Sequence, residues 1–153
     1  MYAEFLSFLE TSWLGHTARS SVWVYPLSNL AHVLGAALLV GSIVVFDALL
    51  LRRRYAEAMS ISRYALIIAA VGLAIMLVSG PVLFSAEATA TGVNLMFRIK
   101  LALILVGLAN IALYHALARS SPSGVPPLAR LHASISASVW IGVLLAGRSI
   151  AYW

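Results

Sequence analysis

A few ionisable side chains lie within stretches that are otherwise almost wholly apolar. His32 and Asp47 fall in the long apolar segment 26–51, and His115 falls near the end of another, 95–118. Imidazole and carboxylate groups carry protons and bind haem or metal ions. At membrane depth such groups are costly, and they usually face a bundle interior or a cavity. Their positions therefore indicate candidate functional sites.

The spacing of His32 and Asp47 restricts what they could do together. At about 100° per residue they lie roughly 60° apart around a helix, so they share one broad face. The fifteen residues that separate them span about 22 Å along the helix axis. One small ligand cannot contact both, and the sequence predicts two separate polar clusters.

Composition explains why these groups lie at membrane depth. Of the 153 residues, 62% are hydrophobic and only 10% are charged, whereas a soluble domain carries about 25% charged residues. The chain is therefore predicted to be an integral membrane protein with a single membrane domain. The net charge of +5 is assigned to membrane topology rather than to nucleic-acid binding. The absence of cysteine excludes disulfides, thiolate metal sites and covalently attached haem.

The predicted fold is an all-α, four-helix membrane bundle preceded by a short amphipathic helix. Apolar runs of the length that crosses a bilayer predict spans over residues 26–51, 62–84, 95–118 and 128–153. Residues 2–14 alternate apolar and polar side chains at helical spacing, so this segment is predicted to lie in the membrane interface and to end at Gly15. The carboxyl-terminal pair Tyr152 and Trp153 is typical of an aromatic interface anchor.

Flanking arginines predict the orientation of the spans. One side of the predicted membrane has most of them: Arg52, Arg53, Arg54, Arg63, Arg119 and Arg130. The positive-inside rule places this side in the cytoplasm. Both termini and the loop 85–94 are then predicted to lie on the outer side.

Folding the spans together predicts two polar clusters. The outer cluster consists of His32, Arg98, Lys100, Arg148 and Tyr152. The cytoplasmic cluster consists of Asp47, His115 and Ser134, and in it Asp47 is expected to pair with His115 or a nearby arginine. In the last span, Ser134, Ser138 and Arg148 share one helical stripe. If that stripe faces the bundle, His132 faces outward.

The motifs HVLGAALLVGSIVVFD, SGPVLF, FRIK, Asn110-x-x-x-x-His115 and GRSIAY resemble those of a bacterial family of small four-span membrane proteins of unknown function. The likeness covers nearly the whole chain and implies a shared fold. In a Gram-negative bacterium, the orientation given by the arginines would place the chain in the inner membrane, with both termini in the periplasm. The likeness also implies importance for several residues: His32, Asp47, Phe97, Arg98, Lys100, Asn110, His115, Arg148 and Tyr152. Family members often have an arginine shortly after the Asp47 position, which this chain lacks. A looser likeness to copper-resistance membrane proteins and four-helix b-type cytochromes rests on helix number and histidine placement.

Three hypotheses for function follow. The first is a subunit linked to electron transfer that binds b-type haem through His32 or His115, with Arg98, Lys100, Arg148 and Tyr152 near the haem edge. The second is an accessory subunit that binds lipid and other membrane subunits, or itself, without a cofactor. The third is ion or metal transport by an oligomer, using His32, Asp47 and His115. The sequence contains no HExxH or GxSxG motif to indicate an enzyme.

Overall fold

The computed structural model describes residues 1–152, and all regular structure in that range is helical. The helices are α1 (Tyr2–Thr11), α2 (Trp13–Ser20), α3 (Val24–Leu51), α4 (Tyr55–Ala86), α5 (Ala88–Val93), α6 (Leu95–Arg119) and α7 (Ala129–Ser149). Four of these helices, α3, α4, α6 and α7, are long and apolar enough to cross a membrane. The predicted four-helix membrane bundle is therefore confirmed. Trp153, part of the predicted aromatic anchor, lies outside the described residues.

The spans pack in the spatial order α4–α3–α7–α6. Helices α3 and α4 approach closely because Gly35 and Gly72 face each other: a Cβ atom added to Gly72 would lie 2.5 Å from the Gly35 carbonyl oxygen. Close backbone approach through small residues is a common way to pack membrane helices. Within residues 1–152, by contrast, no Cα atom of α4 lies within 8 Å of one of α6. The bundle is therefore open along the α4–α6 side.

A compact apolar core fills the middle of the bundle. It consists of Leu39, Val40, Ile43, Trp140 and Val143. Trp140 is only 1% exposed, and its ring packs against α6, where a Cβ at Gly107 would come within 3.1 Å of it. This core separates the two ends of the membrane domain. We call the end that contains α1, α2 and α5 the cap end, and the end that contains Arg52–Arg54 the arginine end.

The amino-terminal segment differs from the prediction in one respect. The expected single helix over residues 2–14, ended by Gly15, is two helices separated at Ser12. The Ser12 hydroxyl accepts a hydrogen bond from the Gly15 N–H at 3.2 Å, which is the geometry of a serine that starts a helix. Gly15 lies inside α2, where it is buried against the Ser85 carbonyl oxygen at the end of α4. Close packing, rather than helix termination, explains this glycine.

The other boundaries lie close to the predicted ones, except at the start of α4. The link between the first two spans was predicted to extend to about residue 62, but α4 begins at Tyr55. Only Arg52–Arg54 connect α3 to α4, and Arg53 adopts a left-handed backbone conformation with φ of 60°. The predicted loop 85–94 contains the short helix α5.

Candidate functional site

Asp47 is the most deeply buried ionisable side chain named in the sequence analysis. It lies in the last turns of α3, and only 4% of it is exposed. Ser136 of α7 lines the same cavity as the carboxyl group. The second carboxyl oxygen, Oδ2, has no hydrogen-bond partner among residues 1–152. A buried carboxyl oxygen without a partner is costly in either protonation state.

Asp47 faces a cavity of about 240 Å³ at the arginine end of the bundle. All four spans line it, and its walls are mostly apolar, formed by side chains such as Ile43, Phe46, Ala65 and Ile111. The polar lining residues are Ser42, Asp47, Ser62, Asn110, Tyr114, His115, His132 and Ser136. A mostly apolar cavity with a few polar groups is the usual form of a small-ligand site.

Tyr114 supplies the second unpartnered polar atom of this cavity. The residue is 8% exposed, and its ring packs edge-on against Phe46 and His132, with centroid distances of 5.9 and 6.0 Å. No described residue makes a hydrogen bond with its Oη atom. Tyr114 was not among the residues predicted from the sequence. The signal available was the helical spacing of Gly107, Asn110 and Tyr114, which places all three on the packed face of α6.

The expectation that His132 faces outward is wrong. His132 is 8% exposed and lines the cavity, while Ser134, Ser138 and Arg148 are exposed. The large apolar residues of α7 determine which face is buried, and Trp140 and Val143 belong to the core. Counting back from them in helical steps reaches Ser136 and His132. For the same reason Ser136, rather than the predicted Ser134, lies beside Asp47.

Two hydrogen bonds to Asn110 fix the position of the His132 ring. The Asn110 amide nitrogen donates to the His132 carbonyl oxygen at 3.0 Å, so its other amide atom, Oδ1, faces His132 Nδ1 at 2.9 Å. Because Oδ1 can only accept, we assign the proton to Nδ1. In the neutral ring, Nε2 is then an acceptor, and nothing in the described part of the chain bonds to it. The Asn110 side chain therefore joins α6 to α7.

His115 lies at the edge of the cavity rather than at its centre. Its side chain is exposed, and its ring packs edge-on against Tyr114 at a centroid distance of 5.6 Å. The expected pairing of Asp47 with His115 or an arginine is absent from the ion pairs between described residues. Asp47 therefore lies in the predicted cytoplasmic cluster without the charged partner that was expected for it.

The residues of the predicted outer cluster lie near the cap end, and each has local contacts. The His32 ring is half-buried, with Nδ1 2.9 Å from the Ser79 hydroxyl of α4. Lys100 lies against Gly147, where an added Cβ would be 3.5 Å from its amino group. Arg98 donates to the Gly92 carbonyl oxygen at 3.4 Å. Arg148 and Tyr152 contact each other at the surface, at 2.5 Å between Nη2 and Oη.

The predicted cofactor residues can be compared with these positions. No three His, Asp or Glu side chains within residues 1–152 are grouped to hold a metal ion. A volume of about 240 Å³ is below the roughly 300–1,000 Å³ of pockets for drug-sized ligands. At the other end, the Ser79 hydroxyl contacts His32 Nδ1, which leaves Nε2 as the ring nitrogen available to a ligand.

Comparisons of the chain with protein families, with curated proteins and with solved structures found no match.

Proposed function

We propose that this four-span membrane protein is a small subunit of the bacterial inner membrane that handles protons at a buried site centred on Asp47, within a complex linked to electron transfer. The observation that supports this proposal is the unpartnered Oδ2 atom of Asp47 in a mostly apolar cavity that has a few polar lining groups. Ionisable groups at membrane depth commonly serve proton relays and ligand binding. A purely structural carboxyl group would be expected to have its hydrogen bonds satisfied.

The side chains around Asp47 suit proton transfer. Asp47 can hold or release a proton, while the Ser136 and Tyr114 hydroxyls can each donate and accept one hydrogen bond. His132 contributes an acceptor at Nε2, since Asn110 occupies the opposite nitrogen. The cavity is large enough for several water molecules, because one water needs only about 10–15 Å³ of such volume. A short chain of hydrogen bonds can therefore link Asp47 to His132.

The apolar core limits how far a proton could travel. Leu39, Val40, Ile43, Trp140 and Val143 lie between the Asp47 cavity and the cap end. A proton taken up at Asp47 therefore exchanges with the arginine end or with a bound ligand. This arrangement favours a one-sided proton site over transport through a single copy of the chain.

The exposed apolar surface supports the assignment to a larger assembly in the bilayer. In each of the helices α4 and α6, only 11% of an apolar 18-residue stretch is buried within the chain. Lipid or other membrane subunits cover these faces. An accessory subunit without a cofactor predicts the same surface, but it does not predict an unpartnered carboxyl oxygen in a cavity.

The orientation that we propose places the arginine end in the cytoplasm and both termini in the periplasm. The chain has no cysteine, so single cysteines can be labelled without background. We expect a membrane-impermeant maleimide added to intact spheroplasts to label Thr89→Cys in the cap but not Ser123→Cys in the loop between α6 and α7. Labelling of Ser123→Cys but not of Thr89→Cys would show that the chain has the opposite orientation.

Infrared difference spectroscopy tests the proton site directly. We expect wild-type protein in nanodiscs to show a carboxyl C=O band whose intensity changes with pH, because the protonated carboxyl group has this band and the carboxylate does not. Asp47→Asn should abolish this band, while Glu57→Gln, which changes an exposed carboxylate, should leave it intact. A spectrum that is identical in wild type and Asp47→Asn would refute the proposed function.

A further inference from the structure

We infer that the Asp47 cavity binds the ring of a lipid-soluble quinone or quinol, which enters from the bilayer between α4 and α6. This inference rests on the proposed proton site and names its ligand. It concerns binding and positioning alone. It depends on the size of the cavity, the polar groups that line it, and its opening toward lipid.

The size of the cavity matches a single substituted ring. An apolar cavity of about 150 Å³ accommodates benzene, and the Asp47 cavity has about 240 Å³. The additional volume suits ring substituents rather than a second fused ring system. Ile43, Phe46 and Ile111 supply apolar surface against which a ring can pack.

The polar groups match both redox forms of such a ring. A quinol has hydroxyl groups that donate, and the cavity offers the acceptors Asp47 Oδ2 and His132 Nε2. A quinone has carbonyl oxygens that accept, and the cavity offers the Tyr114 hydroxyl and, when Asp47 is protonated, its O–H group. Either form would therefore satisfy buried groups that have no partner within the described chain. Leaving such groups unpaired costs about 1–3 kcal/mol each.

The open side of the bundle gives a lipophilic ligand its route. Helices α4 and α6 both line the cavity, yet their backbones remain apart throughout residues 1–152. Leu66 of α4 lines the cavity and is also 51% exposed, so the cavity reaches the lipid-facing surface there. Toward the cap end the gap is closed by Phe84 and Phe97, whose rings stack at 5.1 Å. A hydrocarbon tail can lie in this gap while the ring occupies the cavity.

Photolabelling locates the ligand without assuming an activity. The protein in nanodiscs is incubated with an azido-benzoquinone that has a decyl tail, irradiated, digested and examined by mass spectrometry. We expect the label on the cavity-lining segments 59–69 and 110–118, and we expect excess unlabelled decyl-benzoquinone to suppress it at least tenfold. Label spread evenly over the lipid-facing helices, and unaffected by competitor, would overturn the inference.

A pair of substitutions on α4 provides the matched control. Ala65→Leu adds bulk to the cavity wall, so we expect it to reduce the specific labelling at least tenfold. Ala74→Leu makes the same change at an exposed position outside the lining residues, and labelling should remain within about twofold of wild type. Size-exclusion chromatography and circular dichroism confirm that both variants fold. Equal labelling of the two variants would contradict the assigned cavity.

The two experiments separate the two proposals. An Asp47 band that responds to pH, together with unspecific photolabelling, would retain the proton site and reject the quinone ligand. Specific photolabelling without a pH-dependent infrared band from Asp47 would reject proton handling and retain a binding cavity.

Discussion

The two ends of the membrane domain differ in whether their polar side chains have hydrogen-bond partners. At the cap end, Glu10 accepts two hydrogen bonds from Thr89, Arg19 donates to the carbonyl oxygens of Ala86 and Glu10, and Tyr2 donates to Gly92. At the arginine end, Asp47 and Tyr114 each keep a buried oxygen without a partner among residues 1–152. Buried polar groups in native proteins are usually satisfied. The difference indicates a structural role for the cap end and a binding role for the cavity.

The cap end is also more tightly packed than the arginine end. In the cap, a Cβ at Gly92 would come within 2.7 Å of Leu6, and Ala18, Ala86 and Ala88 are almost completely buried. At the arginine end, all four spans surround an unfilled volume of about 240 Å³. The cap end is therefore packed tightly against itself, whereas the arginine end has an accessible cavity beside two unpartnered polar atoms.

The largest effect is expected from adding a single methyl group to the tightly packed cap end. Gly15→Ala would place a Cβ 2.7 Å from the Ser85 carbonyl oxygen, a backbone atom that cannot move aside. We expect it to lower the free energy of unfolding by about 1–3 kcal/mol, the usual cost of overpacking. The measurement is thermal or chemical unfolding in detergent, with hydrogen exchange to locate the loosened cap.

Two further variants serve as controls for this prediction. Gly41→Ala should leave stability unchanged or raise it by up to about 1 kcal/mol, because alanine favours a helix more than glycine does and no atom of the described residues lies within 4 Å of the added Cβ. Ala65→Leu, which extends into the cavity, should also cost little. If Ala65→Leu destabilised the protein as much as Gly15→Ala, the cavity would be as tightly packed as the cap, and the contrast would fail.

A matched pair of tyrosine substitutions should have effects of opposite sign. Tyr2→Phe removes a hydroxyl that donates to the Gly92 carbonyl oxygen at 2.8 Å, so we expect a loss of about 0.5–1.5 kcal/mol. Tyr114→Phe removes a buried hydroxyl that has no partner in the described chain. The unfolding free energy should therefore stay constant or rise, by up to about 1 kcal/mol. Destabilisation by Tyr114→Phe comparable to that of Tyr2→Phe would show that Tyr114 is structurally engaged.

The fold was predictable from the sequence because the main evidence for membrane-spanning helices is their apolar composition. Four long apolar runs leave few alternatives to a membrane bundle, and α3 and α6 begin and end within a few residues of the predictions. The start of α4 was missed because the segment between Tyr55 and Ser62 is polar enough to resemble a loop. Its exposed Arg54 and Glu57 form an ion pair that supports the first turn instead.

The candidate site was predictable only in part. Asp47 and His115 stood out because charged or titratable groups are rare in apolar spans. His132 was assigned to the wrong face because the small residues of α7 do not by themselves show which face is buried. The hydrogen bonds between Asn110 and His132 depend on the register of α6 against α7, and a single sequence does not contain that register.

The smallest expected effect concerns pH at the cap end. The hydrogen bonds from Thr89, and the nearby Arg19 guanidinium, hold the pKa of Glu10 below its ordinary value of 4.5. Because the folded-state pKa is the lower one, Glu10 contributes stability that is fully present above pH 4.5 and is lost as the pH falls through the folded-state value. We therefore expect hydrogen exchange in α1 and α5 to increase in wild-type protein on acidification.

Glu10→Gln should remove this dependence on pH, because glutamine does not titrate. The same variant should leave the infrared band of Asp47 unchanged, since the apolar core separates the two ends. Acid-induced loosening of the cap that persists in Glu10→Gln would assign the effect to another group, and a change in the Asp47 band would show that the two ends are coupled.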